Sequence, residues 1–207
     1  MGSICGWINK SKNLESKQNL FKEMLDTISY RGNTKPNYFF DEHILLGNNR
    51  LAIRDLNNGN QPMYFKEYVI IYNGEIFNTE EIKEKLLEKN YSFDTNCDTE
   101  IILKGYAEYQ EKILDLLEGF YAFCIYNTKT NELFLARDRF GVKPLYYCLK
   151  DDDFIFSSTI KPILKSEVIK PRLNKESLGE ILAMGPSKKQ GSRDIYRNKW
   201  TSFWTFS

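Results

Sequence analysis

Short apolar runs, each closed by turn residues, recur along this chain, and that punctuation narrows its possible folds more than any other feature. Asn37-Tyr38-Phe39-Phe40, His43 to Gly47 and Leu51-Ala52-Ile53 follow one another closely. Tyr68-Val69-Ile70-Ile71-Tyr72 is β-branched and aromatic and stops at Asn73-Gly74. Phe120 to Tyr126 and Glu132 to Ala136 flank Asn127-Thr128-Lys129-Thr130-Asn131, which reads as a hairpin loop. Leu145 to Leu149 and Phe154-Ile155-Phe156 flank Asp151-Asp152-Asp153 in the same way. Helical spacing appears in four further places. Leu20, Phe21, Met24, Leu25 and Ile28 share one helix face. Asn78 can cap a second helix, with Glu80 and Glu81 favourable in its first turn and Ile82, Leu86 and Leu87 facing the core. Asp98 can cap a third, which carries Ile101, Ile102 and Tyr106. Asn174 can cap a fourth, with Leu178, Ile181 and Leu182 apolar and Gly185-Pro186 ending it. Antiparallel hairpins with a few helices give an α+β fold, with sheets packed face to face and helices outside.

Composition removes several classes of function. The 207 residues suit one domain, or a domain with a short tail. The net charge of +1 supplies no global field for nucleic acid or an anionic membrane, so neither is expected as a partner. No stretch approaches about 18 consecutive apolar residues, the length a spanning helix needs. Met1-Gly2-Ser3-Ile4-Cys5-Gly6-Trp7 lacks the charged lead and apolar run of a secretory signal, and Gly6 stands where a myristoylation motif wants Ser or Thr. The single histidine, His43, excludes zinc sites built on two or three His ligands, and its apolar surroundings read as a strand. Cys5, Cys97, Cys124 and Cys148 form no C-x-x-C pair, so no metal knuckle or redox motif is expected. Four such thiols read as reduced, in a cytoplasmic protein.

Polar groups at strand ends carry the chemistry. Asn73-Gly74-Glu75 follows a strand that reads as buried, and an amide donor beside a glycine N–H is the equipment of an oxyanion hole. The same Asn-Gly pair is also the commonest hairpin turn, so a plain turn stands beside that reading. Arg50 opens Arg50-Leu51-Ala52-Ile53-Arg54-Asp55 and can fork onto a carboxylate, or form a surface ion pair. Asp98, in Cys97-Asp98-Thr99-Glu100, can bind an ammonium as well as cap its helix. The segment from Leu135 to Tyr147 alternates charge with Gly and Pro and reads as a fixed loop, more structural than catalytic.

Taken together and in order, these clusters resemble the glutaminase domain of asparagine synthetase, a class II glutamine amidotransferase of the N-terminal-nucleophile hydrolase superfamily. The resemblance runs through the opening Met1 to Gly6, Arg31-Gly32, Arg50 to Asp55 and Gln61-Pro62. It continues through Asn73 to Asn78, Asp98-Thr99-Glu100, Gly119 to Phe123 and the Arg137 to Tyr147 segment. It covers roughly residues 1–195, and the aromatic tail at 196–207 does not resemble the family's continuation. The resemblance implies a four-layer α-β-β-α sandwich of two mostly antiparallel sheets flanked by helices. It also implies a mechanism in which an N-terminal cysteine attacks the glutamine side-chain amide and its own α-amino group shuttles the proton. Asn73 and the Gly74 N–H would hold the oxyanion. Arg50 would pair with the glutamine α-carboxylate, Glu75 and Asp98 would hold the α-ammonium, and backbone around Ile53 would assist. Ammonia would pass to a synthetase domain that amidates aspartate. No cofactor is implied for the glutaminase domain itself; ATP and magnesium belong to the synthetase domain. A homodimer is compatible with the resemblance.

The sequence departs from that pattern at four places. The nucleophile position is Gly2, which has no side chain to attack with. Cys5 is a poor substitute, since strand positions two and five point to opposite faces. The family's His-Arg-Gly-Pro-Asp reads Tyr30-Arg31-Gly32-Asn33-Thr34, and its Gly-His-x-Arg reads Gly47-Asn48-Asn49-Arg50, both where pocket lining is expected. No Ser-Gly-Gly-x-Asp-Ser pyrophosphate loop is present. The expected function is therefore the glutamine-binding and glutaminase half of an asparagine synthetase, written without its nucleophile and without the synthetase domain. A non-enzymatic glutamine-binding module, or an amidotransferase domain serving another acceptor, stands as the alternative.

Overall fold

The computed structural model describes residues 2–51, 59–171, 196–197 and 203–206. The chain enters on β1 (Ser3–Asn9), turns through α1 (Gln18–Asp26), and returns on the hairpin β2 (Asn37–Asp41) and β3 (Ile44–Asn49). Then come β4 (Met63–Phe65), β5 (Tyr68–Ile76), α2 (Thr79–Leu87) and α3 (Asp98–Tyr109). The second half is β6 (Gly119–Asn127), β7 (Glu132–Arg137), β8 (Tyr146–Lys150), β9 (Asp153–Ser157) and α4 (Ile160–Lys165), with β10 (Tyr196–Arg197) and β11 (Phe203–Phe206) last.

Among the described residues the strands form two sheets, ordered β10-β8-β9-β1-β3-β2 and β11-β7-β6-β5-β4. Every pairing described is antiparallel. Three apolar layers hold the molecule together. The middle one lies between the sheets and joins Ile4, Ile8, Ile44 and Leu46 to Ile71, Ala122, Cys124 and Leu135. One outer layer packs Ile70, Tyr72 and Phe123 under Ile82, Leu86, Ile101 and Ile102 of α2 and α3. The other packs Cys5, Trp7 and Leu45 under Phe21, Met24 and Leu25 of α1 and Ile163 of α4. The architecture is the expected α-β-β-α sandwich. The strands β1, β3, β5, β6, β7 and β9 each supply their two faces to different layers, because their side chains alternate.

That alternation also explains an element with no polar/apolar signal. β1 sits between β9 and β3, and all seven of its residues are buried. A strand covered on both faces shows no period of two. β5 is longer than its sequence suggests: it runs past Asn73-Gly74 to Ile76, pairing Asn73 with Ala122 and Gly74 with Tyr121. The Asn-Gly pair is therefore strand, not turn. Leu87, placed on the core face by spacing alone, is exposed at the last position of α2. His43 sits in the β2–β3 turn, where its Nδ1 lies 3.0 Å from Asn9 O and 3.1 Å from Lys12 O. The helix expected from Asn174 lies outside the described residues. Among the described residues no helix is long and apolar enough to cross a membrane.

Gly6 shows how tightly the middle layer closes. A Cβ there would overlap the ring of Phe156 and stand 3.0 Å from Leu46 Cδ2, and both of those side chains are fully buried. Gly6→Ala is expected to destabilise the fold by about 1–3 kcal/mol, the usual cost of overpacking a filled core. Urea unfolding would read this as a lower midpoint with an unchanged slope; an unchanged midpoint would mean the ring has room to move.

Candidate active site

A cleft of about 150 Å³ opens where β1, β3 and β5 end together at one side of the sandwich. Its lining gathers residues far apart in sequence: Gly2, Arg50, Asn73, Gly74, Glu75 and Asp98, together with Leu51, Gly59, Gln61, Tyr72, Cys97, Thr99 and Lys143. All the site residues expected from sequence meet here except Ile53, which lies outside the described residues.

Gly2 precedes β1 on the same face as Ile4 and Ile8, so it looks across the middle layer at β5. A Cβ built on Gly2 would stand 3.1 Å from Asn73 Oδ1, 3.2 Å from Asn49 O and 3.4 Å from Leu51 N. The Gly2 carbonyl is held by Arg31, whose Nε donates to it at 3.3 Å. Asn73 is 5% exposed, and its Nδ2 is buried with no hydrogen-bond partner. An orphaned buried donor costs about 1–3 kcal/mol. A half-turn of the amide brings Nδ2 to the cleft and breaks no protein hydrogen bond.

Gly74 is required by its neighbours. A Cβ there would lie 2.5 Å from Phe120 O and 2.8 Å from Tyr121 Cα, so β6 can approach β5 only at glycine. Its N–H is placed by strand parity. The Tyr72 N–H donates at 2.6 Å to Gln61 Oε1, and the Ile76 N–H donates at 2.8 Å to Asp98 Oδ2, both on the side of β5 that β4 no longer covers. Alternate N–H groups of a strand point the same way, so the Gly74 N–H points between them into the cleft.

Asp98 does not cap its helix. Cys97 occupies the N-cap position without a side-chain cap, and Asp98 turns to β5, where Oδ2 also accepts from Tyr72 OH at 3.1 Å. Asn78 holds the N-cap position of α2, yet its side chain bridges Leu116 O and Glu118 N instead. Asp98 is the first residue of α3, and the chain leading into it is fixed to the helix through Glu100. That carboxylate accepts from Asp94 N, Thr95 N and Thr95 Oγ1 and lies 2.6 Å from Lys104 Nζ. Burial pushes the Glu100 carboxyl up, but Lys104 and the Thr95 and Asp94 donors outweigh it and hold it below its usual range.

Arg50 follows β3 directly, with its carbonyl accepting from Asn33 N at 3.0 Å and Thr34 Oγ1 at 3.2 Å. Its guanidinium lies over Gly59, where any Cβ would collide with it. Lys143 arrives from a loop wound around Asp138 and Arg137. Asp138 accepts from Val142 N and Lys143 N at 2.9 Å each, Arg137 Nε donates to Lys143 O at 2.7 Å, and Arg137 Nη2 donates to Gly141 O. Gly141, at φ +65°, makes the turn. The loop is fixed as expected, and it also delivers a lysine to the cleft. Spacing does not single out Lys143, Tyr72, Thr99 or Cys97; Gln61 is visible only within the Gln61-Pro62 motif. Tyr30 and Asn48 do not line the cleft. Tyr30 is 67% exposed, and Asn48 is buried on the inner face of β3 beside Leu46.

Cys5 points away from the cleft, into the layer with Trp7 and Phe21. Burial pushes its thiol up to about 12, against a smaller opposing effect of the Ser157 hydroxyl.

The glutamine amidotransferase domain family model matches residues 1–199. The chain is 41% identical over 196 residues to asparagine synthetase [glutamine-hydrolyzing] 3 of Bacillus subtilis (strain 168), covering 93% of this chain and 32% of that protein. It is 36% identical over 151 residues to asparagine synthetase [glutamine-hydrolyzing] of Zea mays, covering 72% and 25%. It thus spans about a third or less of the length of these relatives. The solved glutamine phosphoribosylpyrophosphate amidotransferase from B. subtilis, complexed with ADP and GMP, has the same fold. Its TM-score is 0.66 at 18% identity, over 81% of this chain and 44% of that one.

With its thiol at about 12 and no exposure, Cys5 is expected to stay unmodified by iodoacetamide at pH 8 in the folded protein and to react only on unfolding. Mass mapping of labelled peptides reads this directly. Native-state labelling of Cys5 at a rate near that of a free thiol would reopen it as a nucleophile.

Proposed function

The chain belongs to the glutamine amidotransferase domain family, and from that premise we propose that it is the glutamine-binding half of a glutamine-hydrolysing asparagine synthetase, with glycine at the nucleophile's position. The observation that carries this reading is the cleft, where Asn73, with its orphaned amide nitrogen, faces Gly2 across the sandwich. Arg50 forks onto the α-carboxylate of L-glutamine, and Glu75 and Asp98 receive its α-ammonium. The side-chain amide then lies toward Gly2, with its oxygen at the Gly74 N–H and Asn73 Nδ2.

A cysteine at position 2 would complete the chemistry. Its thiolate attacks the amide carbon, and the carbonyl electrons move onto the oxygen held by the two donors. Collapse breaks the C–N bond, and the α-amino group of residue 2, with an ordinary pKa of about 8, hands its proton to the departing ammonia. Water then hydrolyses the thioester to glutamate. Gly2 has no sulfur to form that bond, so the chain as written binds glutamine and stops there, which favours a binding-only role for this molecule. The names of the relatives support aspartate as the acceptor. ATP and magnesium would act in a synthetase domain, and this domain's own steps draw on no cofactor.

Calorimetry is expected to show L-glutamine bound in preference to D-glutamine, with no ammonia release. Gly2→Cys, checked by mass for an exposed residue 2, is expected to release ammonia, because the space beside Asn73 admits a Cβ with a shift of a few tenths of an ångström. Asn73→Ala in that background should lower kcat by about 10²–10³-fold, as loss of one oxyanion donor does. Ammonia from the unmodified chain, or a Gly2→Cys protein indifferent to Asn73→Ala, would sink this assignment.

A further inference from the structure

We infer that Gln61 is a positioning residue that aims the Gly74 N–H into the cleft. The inference rests on the glutamine-site reading and adds to it a role for the Gln61-Pro62 motif. β4 begins only at Met63, opposite Ile70, and its antiparallel register with β5 runs from there to Phe65↔Tyr68. Among the described residues, the outer edge of β5 has no strand beside it beyond Ile70, and its outward N–H groups are those of Tyr72, Gly74 and Ile76. Two buried side chains replace the missing strand. Gln61 Oε1 takes the Tyr72 N–H at 2.6 Å, and Asp98 Oδ2 takes the Ile76 N–H at 2.8 Å. They grip the edge four residues apart, with Gly74 midway between.

Gln61 is itself oriented. It is 5% exposed, and its Nε2 donates at 3.2 Å to Thr99 Oγ1, one residue after Asp98. That bond fixes which end of the amide accepts from Tyr72. Gln61, Thr99 and Asp98 therefore form one frame along the β5 edge, and the rung left open is filled by the ligand's carbonyl oxygen. The frame is needed because this stretch of β5 is paired with β6 on one side only and contains glycine, the residue with the widest backbone freedom. A tilt of that peptide moves its N–H off the oxygen, and displacement of about 1 Å costs about a hundredfold in rate.

The test separates packing from acceptance. Gln61→Met keeps the volume and loses the acceptor; Gln61→Glu keeps an acceptor for Tyr72. In the chain as it stands, amide exchange followed by NMR should show Tyr72 protected, and the Gly74 amide resonance should move when L-glutamine is added. In Gln61→Met, Tyr72 protection should fall at least tenfold while that of Phe123 on β6 stays. The Gly74 response to glutamine should shrink, and Gln61→Glu should restore both. In the Gly2→Cys background, Gln61→Met should lower kcat about ten- to a hundredfold with KM within about threefold, and Gln61→Glu should recover most of it. Retained Tyr72 protection in Gln61→Met overturns the proposal, as does turnover equal to the parent or a rise in KM alone. A silent Gly2→Cys protein in which the exchange pattern still depends on Gln61 would leave the positioning role standing and count against the glutaminase reading instead.

Discussion

The contact between the inner faces of the two sheets is the constraint on which everything else in this molecule depends. Ile4, Ile8, Leu46, Ile71 and Leu135 close that layer, and each strand crossing it can spend only every second residue there. Gly2 and Asn73 inherit their positions from that rule. One continues the inward series of Ile4 and Ile8, the other that of Ile71, and so they face each other at the open end of the layer. Cys5 is out of step by one residue and is delivered to the helices behind the sheet. A shift of either strand by one position would exchange the cleft's polar groups for core side chains.

Polar order around the cleft comes from groups that are buried and fully engaged. Lys104 and Glu100 meet at 2.6 Å inside the α3 packing, Lys104 also holds Ser92 O at 2.6 Å, and the Phe65 and Phe93 rings lie 5.2 and 5.1 Å from its ammonium. A buried ion pair contributes little net stability against an apolar pair, but it is costly to break from one side. Here it ties the segment ahead of α3 to the helix, and so fixes the helix start where Cys97 and Asp98 line the cleft. The Asp138 loop does the same for Lys143 with backbone N–H groups on a carboxylate. With both rims anchored by rigid polar contacts, the Asn73 amide nitrogen is a buried donor in the cleft wall with no hydrogen-bond partner.

Much of this was legible in the sequence, for reasons that differ by element. The hairpins β6–β7 and β8–β9 were plain because their loops are polar and their strands β-branched or aromatic. β1 gave no alternation because it is covered on both faces. The site residues Arg50, Asn73, Gly74, Glu75 and Asp98 are recognised by the motifs taken together; each cluster alone reads more plainly as a turn or a surface ion pair, or, for Asp98, as a helix cap compatible with ammonium binding. Those plainer readings fail on specific contacts: β5 continues through Asn73-Gly74 against β6, and Asp98 reaches Ile76 N and Tyr72 OH rather than its own helix. Gln61, Thr99 and Lys143 could not have been placed from local pattern, since each acts across a chain separation that only the folded sheets close.

Gly74 answers to two demands at once. β6 passes so close that any side chain there would strike Phe120 O and Tyr121 Cα, whatever the cleft contains. A lineage that abandoned glutamine turnover would still keep this glycine, because losing it would cost the sheet. Its persistence is therefore silent about activity. Asn73 is under no comparable pressure: its amide nitrogen satisfies nothing in the fold and is a standing expense to it. Drift at position 73, rather than at 74, is where a relative that had stopped using its cleft would first betray the fact.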